Sequence, residues 1–148
     1  MRDAVLVLDA VRSRIRFAVF TRDDATARCA VRGALTDLHG HARFRASDAA
    51  GRALADIDCA DEAAPGHPVA IEFLFNWLAL HATDLPVRAI GHRLADDGGV
   101  FGGAACVDAA RLARLAALET LDASTRYGLS LVRLLARRTP WLPQIACF

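Results

Sequence analysis

Two short stretches hold the residue types that could do chemistry. Gly91-His92-Arg93 places an arginine at the end of the apolar segment Val87–His92. A guanidinium there presents a rigid fork of donors that matches a carboxylate or a phosphoryl group. The plainer alternative is an ion pair with Asp96, Asp97 or Asp122. The second stretch is the polar break Asp9–Arg14, where Arg12 and Arg14 flank Ser13 and could draw in a phosphate. A solvated turn whose arginines do nothing specific explains the same pattern. Asp122-Ala123-Ser124 reads as a helix start, with Ser124 expected as the N-cap. His39-Gly40-His41 has only Asp37 beside it, so a surface loop is expected there and no metal site. His92 is expected to be a packed, hydrogen-bonded structural histidine.

The chain has 148 residues and a formal charge of +1, with 54% hydrophobic and 24% charged residues. That suits one globular domain with a sizeable core, residues 1–148. The near-zero charge argues against nucleic acid and against a membrane surface. All 18 basic residues are arginine, so P-loop and Schiff-base lysine chemistry are excluded. The apolar run Ala4–Leu8 is too short for a signal-peptide core, and no stretch suits a spanning helix. Cys29, Cys59, Cys106 and Cys147 form no CxxC pair and are expected reduced, in the cytoplasm.

The elements that must position these residues follow from pattern. Ala4–Leu8 is nearly all apolar, as expected of a strand buried on both faces. Ile15–Phe20 and Ala27–Leu35 are further strands, with Asp23-Asp24 turning between them and Cys29, Val31 and Gly33 expected to face one way. Phe44–Cys59 reads as a hairpin around Asp48 and Gly51. Helices are expected over Val69–His81, Ala109–Leu118 and Ser124–Arg138, and strands over Val87–His92 and Gln144–Phe148. Trp77 and phenylalanines 73 and 75 belong to the first helix's core. Asp96–Gly103 is a glycine-rich loop. A meander followed by crossover units suggests an α/β fold, a mixed sheet with helices packed on it.

Four collinear segments resemble the acetate kinase family. Val5–Phe20 is similar to its opening hairpin, V-L-V-L-N-x-G-S-S-S-L-K-F. Arg88–Gly99 resembles its A-I-G-H-R-V-V-H-G-G signature. Leu118–Ser124 stands where the family has A-P-L-H-N-P, and Trp141–Phe148 resembles the strand that leads into F-D-T-A-F-H. The resemblance implies a ribonuclease H-like, actin-like ATPase domain, the first of two. It implies the reaction of ATP and acetate to acetyl phosphate and ADP, with Mg-ATP held mainly by a second domain. It makes Arg93 the carboxylate and phosphoryl contact, and Asp9, Arg12, Ser13 and Arg14 the phosphate turn. Asp122 falls at the position of a family histidine.

Several positions depart from the family. Asp9 replaces Asn, Val11 replaces Gly, and Arg12 and Arg14 replace Ser; Asp122 replaces the histidine. The loop Leu94–Gly99 gains a residue and two carboxylates and loses its histidine, keeping Gly98-Gly99. The catalytic aspartate would follow Phe148. The expectation is therefore a truncated domain, poorly active or inactive alone. The alternative is a non-catalytic interaction or regulatory module reusing the fold. Its last strand could expose an edge that takes a second copy or a missing half.

Overall fold

In the computed structural model of the chain, residues 2–59, 66–95, 103–117 and 122–148 are described. Asp96, Asp97 and the glycine pair 98–99 lie outside them, as do residues 118–121. The described strands are β1 (Ala4–Val11), β2 (Arg14–Asp23), β3 (Thr26–Thr36), β4 (Arg43–Asp48), β5 (Ala53–Asp58), β6 (Val87–Arg93), β7 (Ala105–Cys106) and β8 (Gln144–Cys147). The helices are α1 (Gly66–His81), α2 (Ala109–Ala116) and α3 (Ala123–Arg138). The strands form one eight-stranded sheet in the order β5-β4-β3-β2-β1-β6-β8-β7. β1 through β5 pair antiparallel, while β1, β6 and β8 run parallel. This is the mixed sheet expected from the sequence, with a meander at one side and crossover helices returning at the other.

The helices sit on one face. Leu6, Leu8, Ile15, Phe17, Val19, Leu35, Phe44 and Ile90 point toward it and are buried against α1 and α3. Phe44 centres an aromatic cluster, stacked on Phe17 at 5.7 Å and touching Phe73 and Trp77 at 5.1 Å each. Gly33 makes that stacking possible: a Cβ there would meet the Arg45 carbonyl oxygen at 2.0 Å and the Phe17 ring at 2.8 Å. α2 packs on the same face, in a smaller cluster of Leu94, Leu115, Leu129 and Ala146.

Several details differ from the sequence expectations. The break Asp9–Arg14 is only a two-residue turn, Arg12-Ser13, because the Asp9↔Arg16 and Val11↔Arg14 pairings continue both strands through the polar residues. Val5 is 39% exposed, so β1 is buried on one face and not on both. A bulge at Ala30, between the pairs Val19↔Val31 and Phe20↔Cys29, turns Cys29 to the face opposite Val31. The second turn lies at Asp24-Ala25, with Asp24 in the left-handed region at φ 52°. α3 is capped by Asp122 and not Ser124: the Asp122 carboxylate accepts the Thr125 N–H at 2.7 Å. β8 is no edge, since β7, a two-residue strand too short to register in the sequence pattern, pairs along it. No described helix is long and apolar enough to cross a membrane.

Candidate functional site

β1 and β6 run parallel in the register Leu8↔His92, so Asp9 and Arg93 emerge side by side where the two strands end. Across the antiparallel pair Asp9 faces Arg16. The Asp9 carboxylate therefore lies between two guanidiniums, Arg16 Nη2 at 3.5 Å and Arg93 Nη1 at 3.8 Å. Those are ion-pair distances beyond good hydrogen-bond length. The Arg93 side chain is 74% exposed, and its donor fork is open to a further anion. This position, outside the carboxyl ends of parallel strands, is where open α/β sheets bind ligands.

The turn beside it is held from beneath. His67, in the first turn of α1, donates from Nε2 to the Val11 carbonyl at 2.8 Å, and His39 donates to the Arg12 carbonyl at 2.8 Å. The Leu38 N–H donates to the Ser13 carbonyl at 2.9 Å. The His67 ring also meets Tyr127 of α3 edge-on at 5.7 Å. Half-burial of His67 lowers its pKa, the Val11 hydrogen bond opposing and His39 adding to the shift. The hairpin tip, the first turn of α1 and Tyr127 of α3 thus meet at one end of the sheet.

The predicted site residues divide accordingly. Asp9 and Arg93 come together, and Arg12 and Ser13 form the exposed turn next to them. Arg14 lies on β2, and its buried Nε has no hydrogen-bond partner among the described residues. Asp122 joins neither Arg93 nor Asp9, its carboxylate being engaged as the α3 cap. Of the alternative partners expected for Arg93, Asp122 does not pair with it, Asp96 and Asp97 lie outside the described residues, and Asp9, which was not among them, does pair. His92 is buried and donates from Nε2 to Gln144 Oε1 at 2.6 Å, while the Gln144 amide donates to the Val132 carbonyl. Burial lowers the His92 pKa to about 4, against the pull of the Gln144 bond. The supports His39 and His67 escaped sequence reasoning, because each reaches a carbonyl 27 or 56 residues away.

Among the described residues, Arg16 and Arg93 flank Asp9 at this end of the sheet, and Arg12 and Arg14 lie in and beside the adjoining turn. The arrangement can hold a small anion by charge and bidentate hydrogen bonding. It does not suit a metal. Asp9 lies between two cations, and the described residues contain no group of three or more His, Cys, Asp or Glu that could hold one.

Comparison with known proteins identifies the family. No family model matches the chain. An acetate kinase of Nitrobacter hamburgensis is 31% identical over 99% of this chain, and one of Rhodopseudomonas palustris is 29% identical over 100%. The backbone superposes on a propionate kinase from Francisella tularensis with a TM-score of 0.78 at 21% identity, covering 99% of this chain. Porphyromonas gingivalis acetate kinase gives 0.76 at 18% identity, again over 99%. The chain carries an acetate kinase-family N-terminal domain. It spans 36–37% of the length of those curated relatives and of those two solved chains. The acetate kinase-type domain is thus one sheet with its three described helices on a single face, and Arg93, Asp9 and Arg16 form a row across β6, β1 and β2 at one end of it.

Proposed function

We propose that this acetate kinase-type domain binds a short-chain carboxylate, and the acyl phosphate made from it, at the carboxyl ends of β1 and β6. The observation that supports this most is Arg93, exposed and held beside Asp9 at 3.8 Å, beyond hydrogen-bond length. The relatives carry the names acetate kinase and propionate kinase, which points to small carboxylates. In the family reaction a carboxylate oxygen attacks the γ-phosphorus of ATP, the bond to the bridging oxygen breaks, and ADP leaves. Arg93 would bind the carboxylate and spread the charge of the transferring group. The described residues do not fit magnesium, so Mg-ATP enters as a substrate held chiefly by a second domain, in the same chain or another.

Catalysis by residues 1–148 alone would be weak or absent. Val11 stands where the resembled family has glycine, and Asp122 stands where it has histidine. The Asp122 carboxylate is an acceptor already used by Thr125, so it donates nothing to a phosphoryl oxygen. Phosphoryl transfer depends on several preorganised donors at once. Cysteines that form no disulfide and a nucleotide substrate fit a cytoplasmic setting.

The test is acetyl phosphate formation, trapped as the hydroxamate, at high protein with Mg-ATP and acetate. The expected result is no formation above an Arg93→Ala control. Arg93-dependent turnover would show a complete site here and overturn the assignment of Asp122 to capping alone. A second reading, a non-catalytic interaction module, is favoured by one observation, the face of the sheet that the described residues leave partly exposed.

A further inference from the structure

The two imidazoles beneath the turn can act on its carbonyls in only one way. A carbonyl oxygen accepts and never donates, so Nε2 of His67 carries the proton it gives to Val11, and Nε2 of His39 the one it gives to Arg12. Half-burial lowers the His67 pKa, so near neutral pH this donor is the uncharged ring, with its lone pair on Nδ1. The two rings arrive from the loop after β3 and from the start of α1. Leu38 is buried, Asp37 turns the backbone at φ 54°, and the Gly66 N–H donates to the Leu38 carbonyl at 3.3 Å. Turn, loop and helix start are thereby tied together.

Holding the carbonyls fixes the amides. The described peptide bonds are all trans, and in a planar trans peptide the N–H points opposite to the C=O. The Val11 carbonyl turns toward α1, so the Arg12 N–H turns away from it, to the side of the sheet that carries Asp9 and Arg93. The Arg12 carbonyl turns toward the loop of His39, so the Ser13 N–H turns away from that loop. Neither N–H has a partner among the described residues. Successive N–H groups on a turn make a cradle for an anionic oxygen. No glycine stands in this turn, and its amides are aimed from outside. On the acyl phosphate reading above, we infer that His67 is a positioning residue for the phosphate end of the ligand. It keeps the Arg12 and Ser13 amides presented to a phosphate oxygen, while Arg93 takes the carboxylate. His39 is exposed and its bond competes with water, so His67 carries the larger share.

The test titrates the isotope-labelled chain with inorganic phosphate and, separately, with acetate, for the parent, His67→Ala and His67→Gln. Glutamine keeps an N–H donor at the reach of Nε2. In His67→Ala the Arg12 and Ser13 amide signals should move before any anion is added. Phosphate affinity should fall about three- to tenfold, and acetate affinity should change by less than about twofold. His67→Gln should recover most of the phosphate affinity. His39→Ala, which removes an exposed ring, should lower phosphate affinity about twofold by the same route, and it keeps the test open where His67→Ala does not fold. Parent-like phosphate affinity in the folded alanine variants would overturn the proposal. So would equal losses for the two anions, or no recovery in folded His67→Gln. A parent that takes up acetate and no phosphate overturns it and leaves the carboxylate reading of Arg93 standing. Phosphate uptake that depends on His67, without acetate uptake, does the reverse.

Discussion

In the proposed site, Arg93 has a neighbour close enough to orient it and too far to occupy it. Asp9 at 3.8 Å draws the guanidinium toward the end of the sheet, and the exposed fork keeps its donors for an anion. Lysine at this position would keep the charge and lose the bidentate match, so Arg93→Lys should bind acetate more weakly than the parent and better than Arg93→Ala. Calorimetric titration of the three proteins checks that order. Asp122 makes a different prediction. As the cap of α3, Asp122→Ala should cost about 1 kcal/mol, and Asp122→Ser should restore most of it, measured by urea unfolding. His92 sets a pH dependence. Its pKa is about 4 in the folded chain against an ordinary 6.5, so the unfolded chain takes the proton more readily. Stability from this group is complete above pH 6.5 and falls as the pH drops toward 4, by about 3 kcal/mol at most. His92→Gln should flatten that part of the stability profile.

Elements place these residues through register more than through loops. One residue of slip between β1 and β6 would turn Asp9 and Arg93 to opposite faces. Gly33 guards the register farther along the sheet, since the strand it faces comes too close for a side chain. Gly33→Ala is expected to cost about 1–3 kcal/mol or more, as overpacking does, and to lower the thermal midpoint accordingly. Most elements were legible in the sequence. The strands of the meander, the Asp48–Gly51 hairpin and all three helices announce themselves by alternation, turn residues and helical period. The rest was hidden for physical reasons. Asp9 and Arg14 look like loop residues because they are polar, yet backbone pairing carries both strands past them. The bulge at Ala30 reverses the facing of Cys29, and no local signal marks it. β7 is held by pairing with β8 and not by its own two residues. Ser124 is as good a cap as Asp122 by type, and only the helix start decides between them.

At the scale of the molecule the sheet separates two roles. One face builds the core, and the carboxyl ends of β1 and β6 carry the arginine cluster. The other face is apolar along its middle and basic around it. The candidate site was partly legible: Arg93 stood out at the end of an apolar strand, but its pairing with Asp9 depended on strand order. The supports of the turn were invisible, because His39 and His67 act across long sequence separations. The measurement that bears most directly on the account is an amide-shift titration of the labelled chain with acetate and with inorganic phosphate, repeated on Arg93→Ala. The account predicts saturable shifts at Asp9, Arg93 and the turn Arg12-Ser13, lost in the variant while the fold stays intact. Absence of saturable shifts at those residues, or the same shifts in Arg93→Ala, would contradict it.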